Sequence, residues 1–160
     1  MTGGRLGRMH REPTIFEAAG GAAAVLRLAR AWHERVMADE VVSHAFSHGF
    51  RADHTERLAA YLTEAWGGPT EFSDHLGSHS EVVTLHSGEG EHVEMDRRGE
   101  ACFAEALVDA GIPAEVQPVL RDYWHWATVL MAGHPTGHDP SSNEPLPHWG
   151  WDGLQPTSAR

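Results

Sequence analysis

Between residues 13 and 132 apolar side chains return every three or four positions, and no stretch alternates with period two for long enough to make a convincing strand. A chain patterned this way buries helix against helix. Glycine and proline cut the text into segments. Pro13 to Ala19 reads as a short helix stopped by Gly20-Gly21. Ala22 to Ala38 reads as a strong helix with Val25, Leu28, Ala29, Trp32 and Val36 on one face. Asp39 to Phe46 reads as a further short turn, and a loop with Gly49 follows. Asp53 is placed to cap the next helix, with Glu56 as its capping-box partner. That helix sets His54, Leu58, Tyr61, Leu62 and Ala65 on one side and ends at Trp66-Gly67-Gly68-Pro69. Residues 69–80 read as loop, Ser80 to His86 as a short helix, and residues 87–91 as a break. Two long helices close the pattern, from about Met95 to Ala110 and from about Ala114 to Ala132, with Gly111 and Pro113 marking the turn. The expectation is an all-α domain over 13–133, a flexible N-terminus over 1–12, and a Pro- and Trp-containing tail over 134–160 without helix or strand. Trp149 and Trp151 carry too much apolar area to stand in water, so the tail is expected on the domain surface or against a partner.

The chain's 160 residues suffice for one domain with a real core. Its net charge of −11 makes nucleic acid and anionic membrane poor partners. All 12 basic residues are arginine, which reads as compositional bias of the source genome. Cys102 is the only cysteine, which rules out an internal disulfide and a Cys-rich zinc site. No apolar run approaches the roughly 20 residues of a membrane span. The opening MTGGRLGRMHREP has no apolar signal core. The expectation is a soluble cytoplasmic protein, a monomer or homodimer.

Thirteen histidines focus the search for chemistry. His33, His54 and His86 lie in apolar, helix-like stretches, where an imidazole is costly to bury without a partner. Neutral imidazole is the commonest metal ligand and also a proton shuttle. For His86, flanked by Val82, Val83 and Leu85, sequence physics leaves two readings open. It is a metal ligand whose second N–H meets an acceptor, or a helix-end histidine favoured by the dipole. The pairs His44/His48 and His75/His79 are four apart, but they fall in loop or helix-end text with no third ligand and read as surface residues. His125 reads as structural, Cys102 as core, and the tail histidines match no known metal spacing.

Several fragments, taken in order, carry a resemblance: Ile15-Phe16-Glu17-Ala18-Ala19-Gly20-Gly21, Ala38-Asp39-Glu40-Val41-Val42, Ala65-Trp66-Gly67-Gly68-Pro69, and Asp122-Tyr123-Trp124-His125-Trp126-Ala127. Their order and spacing over about residues 13–133 resemble the truncated haemoglobins, most similarly the second of their groups. The resemblance implies a two-over-two helical sandwich around haem b (iron protoporphyrin IX), with His86 as the proximal iron ligand. It implies that Phe46 stacks on the porphyrin, that Arg57 reaches a propionate, and that Leu58 lines the ligand side. Tyr61, Trp66 and Leu85 join them as cofactor-binding candidates. The implied ligand is a small diatomic or peroxidic molecule, and redox turnover would require a partner reductase, since the chain has no flavin or nicotinamide fingerprint.

Three positions depart from the family pattern. Where relatives carry Phe-Tyr in the second helix, this chain has Trp32-His33, so His33 takes the place of the distal tyrosine. His54 stands where a small residue is common, and Gly99 where a tryptophan is common. Three outcomes stay open for the two imidazoles: His54 ligates the iron as a sixth ligand, both rings act on a bound ligand as catalytic acid and base, or one points to solvent. Two other classes also stay open: a globin-fold interaction module without haem, and a non-haem metal protein using the histidines.

Overall fold

Thr14 opens the first helix with a reciprocal cap. Its hydroxyl accepts from the Glu17 amide at 3.1 Å, and its own amide donates to the Glu17 carboxylate at 3.0 Å. Such a cap contributes about 1 kcal/mol. The computed structural model describes residues 12–47, 49–79, 81–82, 93–132 and 145–156. Helix α1 is Ile15–Ala19 and α2 is Gly21–Ala38. A 3-10 turn, Val42–Phe46, precedes α3, His54–Ala65. A single π-turn covers Phe72–Leu76, and the long helices α4 and α5 are Val93–Asp109 and Gln117–Ala132.

Helix α2 packs against both α3 and α4, and α4 packs against α5. These contacts make a two-over-two helical sandwich. The shared core holds Leu28, Trp66, Phe103, Leu107 and Leu120, all fully buried. Each such side chain contributes roughly 1.5–3 kcal/mol by leaving water. Arg35 clamps α2 to α4 from outside, reaching Glu105 and Asp109 at 2.7 Å each.

The second Gly-Gly pair has a steric reason. The Phe16 amide donates to the Trp66 carbonyl at 3.0 Å, which seats α1 on the end of α3. A Cβ at Gly67 would come within 2.9 Å of Thr14, and one at Gly68 within 2.8 Å of the Phe16 ring. Only glycine allows that approach.

Three expectations need correction. Asp53 does not cap α3: its backbone, at φ −97° and ψ 17°, is not extended, and its carboxylate takes the Arg51 guanidinium at 3.0 Å instead. A cap residue normally sits in extended backbone, which aims its oxygen at the first free amides. Residues 69–80 are not all loop, because Gly77 donates to the Phe72 carbonyl at 2.9 Å and closes the π-turn. The tail does contain strand: Trp149–Gly150 pairs antiparallel with Gly153–Leu154. That hairpin lies on the domain. Trp149 packs on Tyr123 and Trp126 and donates to the Val119 carbonyl at 3.2 Å, while Trp151 donates to the Pro13 carbonyl at 2.8 Å.

Candidate functional site

Helix α2 delivers Trp32 and His33 side by side, and they face different surroundings. Trp32 packs inward, 5.1 Å from Trp124, whose ring stacks on Phe103 at 4.2 Å. His33 turns toward the start of α3, where its ring centre lies 5.6 Å from that of His54. Phe46, from the 3-10 turn, stands 5.7 Å from His33 and 5.1 Å from His54. Phe50 adds a fourth ring, 4.7 Å from His33 and 6.0 Å from His54. His33 and His54 thus lie side by side, with Phe46 next to both. The sequence reading missed Phe50, whose only signal is an aromatic residue just after Gly49 in polar loop text.

The turn that brings Phe46 here is built by Asp39. Its carboxylate accepts from the Val41 and Val42 amides at 2.8 and 2.9 Å. Those bonds, with Arg98 nearby at 3.5 Å, hold the carboxyl below its ordinary pKa. Behind Phe46 and Trp32 lies a small cluster of Val36, Val42 and Cys102. Burial pushes the Cys102 thiol up, so it stays a neutral core residue. One turn before Cys102, a Cβ at Gly99 would meet nothing within 4 Å.

The cluster has a polar gap. The Nδ1 of His33 is buried and makes no hydrogen bond among the described residues. Buried polar atoms almost always have partners, so an exception points to a missing group or water. A neutral imidazole there can donate or accept at that atom.

Farther along α3, Arg57, Tyr61 and Glu64 are hydrogen-bonded, while the buried Trp66 indole N–H has no partner among the described residues. The Arg57 guanidinium donates to the Leu76 carbonyl at 2.7 Å and lies 5.7 Å over the Phe72 ring. That contact uses only one of the fork's five N–H donors. Tyr61 is buried, and burial, aided by the Glu64 charge, keeps its phenol protonated far above neutral pH. The phenol and His79 Nδ1 share a hydrogen bond at 2.8 Å, the phenol donating when the ring proton is on Nε2 and accepting when it is on Nδ1. His79 is itself buried, which corrects its reading as a surface histidine. Its signal was available: Leu76 and Val82 sit three residues to either side, on one helical face. Glu64 is buried too, accepting from the Ser73 amide at 2.9 Å and its hydroxyl at 2.5 Å. Leu58 is partly buried against the core, and Trp66 is fully buried edge-on to Tyr123 at 5.6 Å. His44, His75 and His125 are exposed, the last paired with Glu100 at 2.7 Å. Among the described residues, no three His, Cys, Asp or Glu side chains converge as a metal site. His86, Leu85, Val83 and His48 lie outside the described residues.

A two-over-two all-helical sandwich, with aromatic and imidazole rings gathered where α2 meets α3, defines a small globin. The comparisons agree. Residues 14–130 match the family model described as bacterial-like globin. The group 1 truncated hemoglobin GlbN of Synechocystis is 30% identical over 121 residues, spanning 68% of this chain and 98% of that protein. The hemoglobin structure from Thermobifida fusca aligns at TM-score 0.63 and 29% identity, covering 77% of this chain and 99% of that one. The group II truncated hemoglobin from Bacillus anthracis aligns at TM-score 0.67 over 79% of this chain and 95% of that one, but at 19% identity it speaks for the fold alone. The chain belongs to the bacterial-like truncated globin family. That membership implies a haem cofactor. No described helix is long and apolar enough to cross a membrane.

Proposed function

We propose that this protein binds one haem b through His86 and presents His33 and His54 together to a small diatomic or peroxidic ligand. The observation that carries this reading is the paired imidazoles 5.6 Å apart, with the buried Nδ1 of His33 lacking a partner among the described residues. The donor set suits the cofactor: apolar rings for a flat macrocycle, a guanidinium for its carboxylates, and imidazoles for what binds at the centre.

Bound haem supplies an iron that takes small ligands. The chain's own residues do the rest. Phe46 offers a ring to the macrocycle and keeps water from its edge. Arg57 keeps most of its fork for a propionate while the Leu76 carbonyl fixes its direction. Leu58, Tyr61, Trp66 and Leu85 supply apolar walls. His33 holds or releases a proton at Nδ1, and His54 faces the same space, so one ring can act as acid while the other acts as base. With peroxide, that division of labour favours turnover, with electrons from a partner reductase. Gly99 has open space where a side chain would stand. Within the family we assign the chain to the second group, supported by Trp66 before the second Gly-Gly pair.

Ferrous absorption spectra of hemin-reconstituted protein test the roles of the two imidazoles. The expected form is five-coordinate and high-spin. A six-coordinate low-spin spectrum that turns five-coordinate in His54→Ala would instead make His54 an iron ligand, a reading favoured by its place at the first turn of α3. Absence of any Soret band overturns the haem reading.

A further inference from the structure

Phe50 is the part of the ring cluster that faces water. It is 50% exposed, whereas His33, Phe46 and His54 are each half-buried or deeper. Its ring meets His33 edge-on at 4.7 Å and an interplanar angle of 72°, and lies 6.0 Å from His54 and 5.8 Å from Phe46. It thus touches both imidazoles and the phenylalanine between them from the solvent side. The backbone holds it there. Gly49 adopts φ +90° and donates to the Phe46 carbonyl at 2.8 Å, so the chain doubles back after the 3-10 turn. A side chain at Gly49 would be strained in that left-handed conformation. Four residues after Phe50 the chain enters α3, with the His54 amide on the Arg51 carbonyl at 3.0 Å. Phe50 is therefore pinned on both sides by backbone hydrogen bonds.

An exposed phenylalanine contributes little to the core, and the fold does not need it. The long core residues lie elsewhere, between α2, α4 and α5. Phe50 packs instead on His33, whose Nδ1 is buried and has no partner among the described residues. We infer that Phe50 is a specificity-determining residue: its ring forms the outer wall of the two-imidazole site and limits entry to molecules of a few heavy atoms. Larger molecules, such as alkyl hydroperoxides or isocyanides, are turned away by its edge. This rests on the proposed reading only for the identity of the incoming ligand. The shielding of the imidazoles is a property of the polypeptide itself.

The test separates the two. Haem-free protein is treated with diethyl pyrocarbonate, and modification at each histidine is followed by mass spectrometry. Exposed His44, His75 and His125 in the same chain serve as internal references. The expected result is slow modification of His33 and His54 in the wild type, rising at least several-fold in Phe50→Ala and staying slow in Phe50→Trp. Circular dichroism and Tm establish that the half-exposed site tolerates both changes. Wild-type His33 and His54 that react as fast as His125, or a Phe50→Ala variant that reacts no faster than wild type, overturns the proposal. Hemin-loaded protein gives the second arm. After flash photolysis, Phe50→Ala should speed recombination of n-butyl isocyanide far more than that of carbon monoxide. Equal acceleration of both ligands would deny a size limit at Phe50. A missing Soret band would remove the haem reading yet leave the modification result standing.

Discussion

The two ends of α3 solve the same problem in opposite ways. Near its C-terminus, polar side chains are buried and bonded: Tyr61 to His79, and Glu64 to Ser73. Near its N-terminus, His33 and His54 sit among phenylalanine rings, and His33 Nδ1 is buried without a bond among the described residues. A satisfied buried network adds stability and fixes geometry. An unsatisfied buried nitrogen costs stability and is kept where something else supplies its partner. The bonded network serves the fold, and the imidazole pair is left for a ligand.

Substitutions at the two ends should therefore differ in sign. The largest effect belongs to Glu64→Ala, which removes the buried carboxylate that accepts from the Ser73 amide and hydroxyl. Hydrogen bonds to a charged group are each worth about 1.5–3 kcal/mol, toward the lower end here because Ser73 is exposed; urea unfolding should show the loss, with Glu64→Gln recovering part of it. Tyr61→Phe removes one hydrogen bond while keeping the ring, so the same measurement should show a loss of about 0.5–1.5 kcal/mol. His33→Leu should go the other way in haem-free protein. Replacing a partly buried imidazole whose Nδ1 lacks a partner among the described residues by an apolar side chain of similar size is neutral or stabilising, by up to about 1 kcal/mol. A clear destabilisation there would mean that His33 serves the fold and would erase the contrast.

The smallest effect lies away from α3. Arg97 and Arg98 hold the exposed Glu94 carboxyl at about 2 from an ordinary 4.5. Its folded pKa is depressed, so its contribution is present above pH 4.5 and fades as pH falls toward 2. Glu94→Gln should slightly flatten the fall of Tm across that acid range and leave Tm at pH 7 nearly unchanged, as expected for a solvent-screened pair.

The helical order was legible because α2, α4 and α5 carry apolar stripes at helical spacing. Their observed limits differ from the sequence reading by a few residues at most. The pairing of His33 with His54 under Phe46 was legible through resemblance, since spacing alone cannot bring α2 to α3. What stayed hidden depended on tertiary context. Asp53 looks like a cap until Arg51 competes for its carboxylate. His79 looks like a surface residue until Tyr61 offers a buried hydroxyl. The Trp149 hairpin is too short to show a period, and only packing on Tyr123 and Trp126 makes it ordered.

Hemin titration of wild type beside His86→Ala and His33→Leu tests the central claim most directly. The account predicts one Soret-absorbing haem per chain in the wild type and in His33→Leu, and a lost or strongly shifted band in His86→Ala. A Soret band of unchanged position and stoichiometry in His86→Ala would contradict it.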